Sequence, residues 1–125
     1  MPESVRTYTA AQVRAAEKPL LEGGEPLMHR AAAALAAIAR RELGEAGGRV
    51  LVLAGSGDNG GDALFAGATL AEIDDVEVDV LLTSDRAHVA GLGAAVAAGA
   101  RKVDLPAVVE AASDYDIVLD GILGI

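Results

Sequence analysis

The sequence has no cysteine and no tryptophan, and Phe65 is its single phenylalanine. Without cysteine there is neither a disulfide framework nor a thiolate metal site, and a reducing cytoplasm is the expected setting. With so few aromatic rings the core has to be assembled from Ala, Val, Leu and Ile, a palette that suits helices lying close against a sheet. Long apolar runs are missing as well. The start, Met1-Pro2-Glu3-Ser4-Val5-Arg6, lacks the apolar stretch of a signal peptide, and no later segment has the unbroken length of a membrane span. Positive charge is scarce: 10 Lys and Arg stand against 19 Asp and Glu, a net charge of −9. Such a surface repels phosphate backbones and anionic lipid, so neither nucleic acid nor a membrane is expected as a partner. A small molecule or a protein is.

What is present fits one core, since 125 residues are too few to argue for two. Thr9-Ala10-Ala11-Gln12 matches a capping box, after which Val13, Ala16 and Leu20 share one helical face. Gly23-Gly24 breaks that helix. A second starts near Pro26, with Leu27, Ala31, Leu35 and Ile38 spaced for a buried stripe and Arg30, Arg40 and Arg41 on the wet side. Gly47-Gly48 ends the helical region, and Arg49 to Ala54 is a short apolar run of the kind found in strands buried on both faces.

Beyond it the spacing predicts a helix over Ala63 to Ile73, a strand over Glu77 to Leu82 and a crossover helix over Asp85 to Ala98 with Gly99 as its C-cap. A brief strand at Lys102-Val103, a short helix from Pro106 through Ala112 and a buried strand over Tyr115 to Asp120 follow. Strand and helix alternate from Arg49 onward, which argues for a doubly wound α/β sheet with right-handed crossovers. The last strand is followed at once by Gly121-Ile122-Leu123-Gly124-Ile125, where such folds place a ligand loop. A sheet of three or four strands ending there would keep an unprotected edge, so the sequence is expected to be the front part, residues 1–125, of a longer domain.

Gly55-Ser56-Gly57-Asp58-Asn59-Gly60 fits G-x-G-x-x-G, follows a strand and opens a helix, the context a nucleotide-binding turn requires. Its acidity narrows the ligand. Asp58 and Asp62 flank the place where a pyrophosphate needs donors, and no lysine follows, which excludes a P-loop. Carboxylates and an amide oxygen suit a hard cation or sugar hydroxyls. The competing structural explanation is that the glycines permit a sharp turn with positive φ while Asp58 and Asn59 cap the helix. Asp120 should project at the carboxyl edge of the sheet beside this loop, with a turn or cap role as its alternative. His29 and His88, the two histidines, read as surface or capping residues rather than a metal pair, and Met28 as packing.

Three blocks, Leu27-Met28-His29-Arg30-Ala31, Gly57-Asp58-Asn59-Gly60-Gly61-Asp62 and Val118-Leu119-Asp120-Gly121-Ile122-Leu123-Gly124, resemble in order and spacing the YjeF N-terminal domain family, the NAD(P)H-hydrate epimerases. The likeness runs over nearly the whole chain, and Asn59-Gly60-Gly61-Asp62 after a buried strand is its most specific part. It implies a Rossmann-like three-layer αβα sandwich with a mostly parallel sheet, preceded by two N-terminal helices. The activity implied is metabolite repair, interconverting the R and S epimers of hydrated NADH and NADPH.

The resemblance places the hydrated nucleotide on Asp58, Asn59, Gly60, Gly61 and Asp62, with Gly124 opening a second substrate loop, and a potassium ion on Asn59 and Asp120. Inverting a hydrated ring carbon needs acid–base help, and Asp62 is the best-placed carboxylate. The family usually has Asn at the position of Asp58 and often Gly at that of Ala63; the first departure adds a negative charge beside the ion. Further substrate and potassium ligands would follow Ile125, and many bacterial members carry a dehydratase domain that uses ADP or ATP.

A homo-oligomer is expected, with the two N-terminal helices either covering a sheet edge or forming a dimer contact. Two other functions fit the same residues: a non-catalytic domain that senses a nucleotide or holds a protein, and an NAD-dependent dehydrogenase with Asp85 on the ribose.

Overall fold

The computed structural model describes residues 4–24 and 26–124. The first three residues and Ile125, which enter the expectations above, lie outside that range. Two helices, α1 (Ala10–Glu22) and α2 (Leu27–Leu43), precede the alternating part: β1 (Gly48–Ala54), α3 (Asp58–Ala71), β2 (Val76–Leu82), α4 (Val89–Ala97), β3 (Arg101–Lys102), α5 (Leu105–Glu110), a 3₁₀ turn at Ala112–Asp114 and β4 (Ile117–Gly121). The strands form one sheet in the order β3-β2-β1-β4, and every neighbouring pair is parallel. The expected mostly parallel sheet is thus parallel throughout.

Side chains alternate across this sheet, and the two faces differ sharply. Val50, Val52, Val78, Val80 and Leu119 point toward α3 and join Leu64 and Leu70 in the core. α3 lies at the centre of that layer, in contact with β1, β2 and β4 beneath it and with α2 and α4 on either side. The opposite face carries Arg49, Leu51, Asp79 and Asp120, and α5 covers its amino-terminal part, where Ala107, Glu110 and Ala111 share a cavity with Arg49 and Asp79.

Four helices differ from expectation in their buried face or their bounds. In α2 the buried stripe is Ala32, Ala36 and Ala39, whereas Ala31 and Ile38 are exposed. A run with alanine on several faces gives periodicity little to choose from, and the smallest side chains win because they let α2 approach α3 closely. Leu35 and Leu43 pack at the margins. α1 keeps its capping box at Thr9 and Gln12 but buries none of its residues: Val13 is half-buried, and Ala16 and Leu20 are exposed. α3 begins at Asp58 instead of Ala63, so Gly60 and Gly61 sit inside its first turns. α4 begins at Val89 instead of Asp85, and Gly99, with φ of +110°, follows its last residues as a glycine C-cap should.

At the amino edge of the sheet one buried carboxylate joins three strands and the approach to the fourth. Asp79 on β2 is 2% exposed; it accepts from Arg49 of β1 at 2.9 Å, from Arg101 of β3 at 3.1 Å and from the Tyr115 hydroxyl, just before β4, at 2.7 Å. Arg49 also lies over the Tyr115 ring at 4.9 Å. Burial alone would raise the Asp79 pKa, but these donors outweigh it and hold the carboxyl below its usual range.

Candidate functional site

The carboxyl ends of β1 and β4 come together through glycine. Gly55 donates its amide to the Gly121 carbonyl at 2.9 Å, and a Cβ on Gly55 would sit 2.0 Å from the Ile122 carbonyl oxygen. One on Gly60 would lie 2.1 Å from the Gly55 carbonyl oxygen, and one on Gly121 would lie 2.7 Å from the Ala63 Cβ. Close backbone approach therefore demands these glycines. None of the four glycines from Gly55 to Gly61 has positive φ, and the N-cap of α3 is Gly57 without a side-chain cap bond, so neither half of the sharp-turn explanation holds. Ala63 faces Gly121 across this packing.

Asn59 lies in the first turn of α3 and donates through Nδ2 to the Leu123 carbonyl at 2.5 Å. Asp120, at the end of β4, accepts from the Ile122 amide through Oδ1 at 3.1 Å. The two side chains thus hold the same Ile122-Leu123 turn from opposite ends, and the amide bond of Asn59 leaves its Oδ1 as an acceptor. Asp120 has the turn role considered for it and lies exposed at the carboxyl end of β4. Gly124 follows this turn, exposed and with open space around it.

Asp58 is exposed at the positive end of the α3 dipole, and Asp62 stands one turn further, on the same helical face. Asp62 is half-buried, and its Oδ1 is inaccessible with no hydrogen-bond partner. Burial first, then the negative charges of Asp58 and of Glu17 from α1, raise its pKa above the usual carboxylate range; His88 works in the opposite sense. Among the described residues no group of three or more His, Asp or Glu side chains converges as a metal site.

The loop after β2 contributes what the sequence did not reveal. His88 caps α4, as a capping residue should, by accepting from the Gly91 amide at 3.0 Å. Its ring also packs against Gly61 and Phe65. A lone histidine preceding an apolar helix carries no signal for that contact, which arises from the sheet order placing β2 beside β1. Asp85 is exposed in the same loop, beyond the strand's last residue, Leu82. The hydroxyl of Thr83, next to the strand end, is turned inward to the Ala54 carbonyl, so the ribose acceptor of a dehydrogenase is not where that fold needs it. A cavity of about 1090 Å³ lies away from all of these residues, between the C-terminal halves of α2 and α3.

Comparison with known proteins finds relatives along nearly the whole chain. An NAD(P)H-hydrate epimerase of Microbacterium testaceum is 58% identical over 98% of this chain and 48% of its own length. One from Clavibacter michiganensis is 48% identical over 94% of this chain and 52% of its own. The bifunctional NAD(P)H-hydrate repair enzyme Nnr of Mycobacterium tuberculosis is 43% identical over 94% of this chain and 25% of its own length. The chain spans about half the length of the two epimerases. No helix among the described residues is long and apolar enough to cross a membrane. Residues 24–125 match the family described as YjeF-related protein N-terminus, and the chain belongs to that family.

Proposed function

We propose that this chain is the front part of an NAD(P)H-hydrate epimerase, exchanging the R and S epimers of hydrated NADH and NADPH in the cytoplasm, as a homo-oligomer. The observation that carries it is the side-chain bond from Asn59 to Leu123, which ties the glycine loop to the turn after β4. The names of the relatives give the chemistry that such a loop pair would serve.

Backbone amides at the start of α3, with the dipole behind them, suit the nucleotide's phosphates, and the exposed Asp58 suits its hydroxyls. Inverting a hydroxyl-bearing ring carbon breaks its C–O bond and remakes it on the other face. One proton goes to the departing oxygen, and one is returned when water re-adds. Asp62, whose pKa is raised by burial and by Asp58 and Glu17, is the group proposed to give and retake that proton.

A potassium ion fits these donors: the free Oδ1 of Asn59 and the exposed carboxylate of Asp120 both offer oxygen, on either side of one turn. When bound, it would offset the negative charge of the substrate and of Asp58.

The test is to add the purified chain to a mixture of the two epimers and follow their exchange. Acceleration over the spontaneous rate is expected, and Asn59→Ala should reduce it roughly tenfold or more by releasing the second loop. Binding of the hydrated nucleotide without acceleration would leave a binding domain in place of the enzyme.

A further inference from the structure

His88 belongs to the loop after β2, yet it rests on the first turns of α3. A Cβ on Gly61 would lie 2.9 Å from the ring's Cγ and Cδ2 and 3.0 Å from the Met28 sulfur, so the imidazole fills the space that this glycine leaves. A Cβ on Gly91 would meet the Leu64 Cβ at 3.0 Å, His88 Nδ1 at 3.2 Å and the Gly61 carbonyl at 3.4 Å. Two buried glycines on facing helices thus enclose the ring, which meets Phe65 edge-on at 5.7 Å between centroids. Nδ1 is committed as the acceptor of the Gly91 amide, so the neutral ring carries its proton on Nε2.

The residue after Gly61 is Asp62, with its buried and unpartnered Oδ1. Asp58 from α3 and Glu17 from α1 bear on that carboxyl as negative charges, and His29 of α2 lies across Phe65, 4.7 Å from its ring.

We propose that His88 is a positioning residue that wedges the loop after β2 against Gly61 and so fixes the Asp62 carboxyl in place, making three carboxyl-edge loops, not two, the frame of the site. This rests on the proposed role of Asp62 in the epimerase. His88→Asn separates the ring from the cap, because asparagine is itself a favoured N-cap.

The expected result is a Tm within a few degrees of wild type and a kcat lower by about tenfold or more with KM within about twofold. Faster amide exchange should accompany it, confined to the start of α3, where the Gly61 amide bonds the Gly57 carbonyl. His88→Ala, which loses cap and ring together, should lower Tm as well. An unchanged kcat and exchange pattern in His88→Asn, or exchange that rises evenly over the chain, would overturn the proposal. The exchange measurement needs no turnover, so a wild-type chain that fails to epimerise removes the epimerase function while the wedge is still judged on its own.

Discussion

Gly60 and Gly93 are both helical glycines, and they should respond to alanine in opposite directions. Gly60 touches backbone: its Cβ would fall 2.1 Å from the Gly55 carbonyl oxygen and 3.1 Å from the Gly55 nitrogen, neither of which can swing away. Gly60→Ala should therefore cost about 2 kcal/mol or more, read as a drop in denaturation midpoint. Gly93 in α4 has open space around it, and Gly93→Ala should stabilise by about 0.5–1 kcal/mol through helix propensity. Asp62 makes a third prediction at this scale. Its folded pKa is raised, so the protonated form favours the fold, and that contribution is complete below the unfolded carboxyl pKa and lost as pH rises through the folded value. Asp62→Asn, neutral at every pH, should hence raise Tm at pH 7 and give no advantage in acid, while abolishing the proposed proton transfer. A lower Tm at pH 7 would mean that the carboxylate has a partner in solution. Such a gain in stability at the expense of activity is common where a fold tolerates a strained functional group.

At the scale of elements, the Asp79 cluster ties β1, β2, β3 and the approach to β4. β3 is only two residues long, and the ion pair from Arg101, with Nη2 3.0 Å from Asp79 Oδ1, is a large part of what keeps it in register. Asp79 has a depressed folded pKa, so its stabilisation is present above the unfolded value of about 3.9 and is lost as pH falls through the folded one. Asp79→Ala should cost about 2–3 kcal/mol at pH 7, because it removes the charged acceptor of three hydrogen bonds while Arg49 keeps Glu77 and Asp114 at 3.6 Å each and Arg101 still reaches solvent, and that cost should shrink on acidification. Urea unfolding of both proteins at pH 7 and in acid checks the size and the sign. None of this was legible beforehand. Asp79 alternates with Val78 and Val80 in a sequence that reads simply as a buried strand, and its partners lie 22, 30 and 36 residues away. The strands themselves, the sheet's parallel direction and the glycine loop were legible, because continuous apolar runs and loop glycines are local signals. The buried face of α2 was not, since alanine at neighbouring positions erases the period. The start of α3 was misplaced for a related reason: glycine's low helix propensity is overridden where two backbones must touch.

The whole molecule carries a net charge of −9, and its acidic groups crowd where function is proposed: Asp58, Asp62 and Glu17 around the start of α3, with Asp120 at the end of β4. Excess charge of one sign repels itself and works against both the compact state and the approach of a second copy. Long-range repulsion is screened by salt, whereas the short, buried contacts of Asp79 are screened much less. Raising NaCl from about 0.01 M to about 0.15 M, which shortens the Debye length from about 30 Å to about 8 Å, should therefore raise Tm at pH 7. The same step should shift the chain toward the proposed oligomer in sedimentation experiments. The salt dependence ought to flatten as pH approaches the isoelectric point near 4.5, where little net charge remains to be screened. A Tm that falls with salt at pH 7 would mean that attractive surface pairs outweigh the repulsion, and the acidity of the loop would then have to be explained by something other than a cation's demand for oxygen.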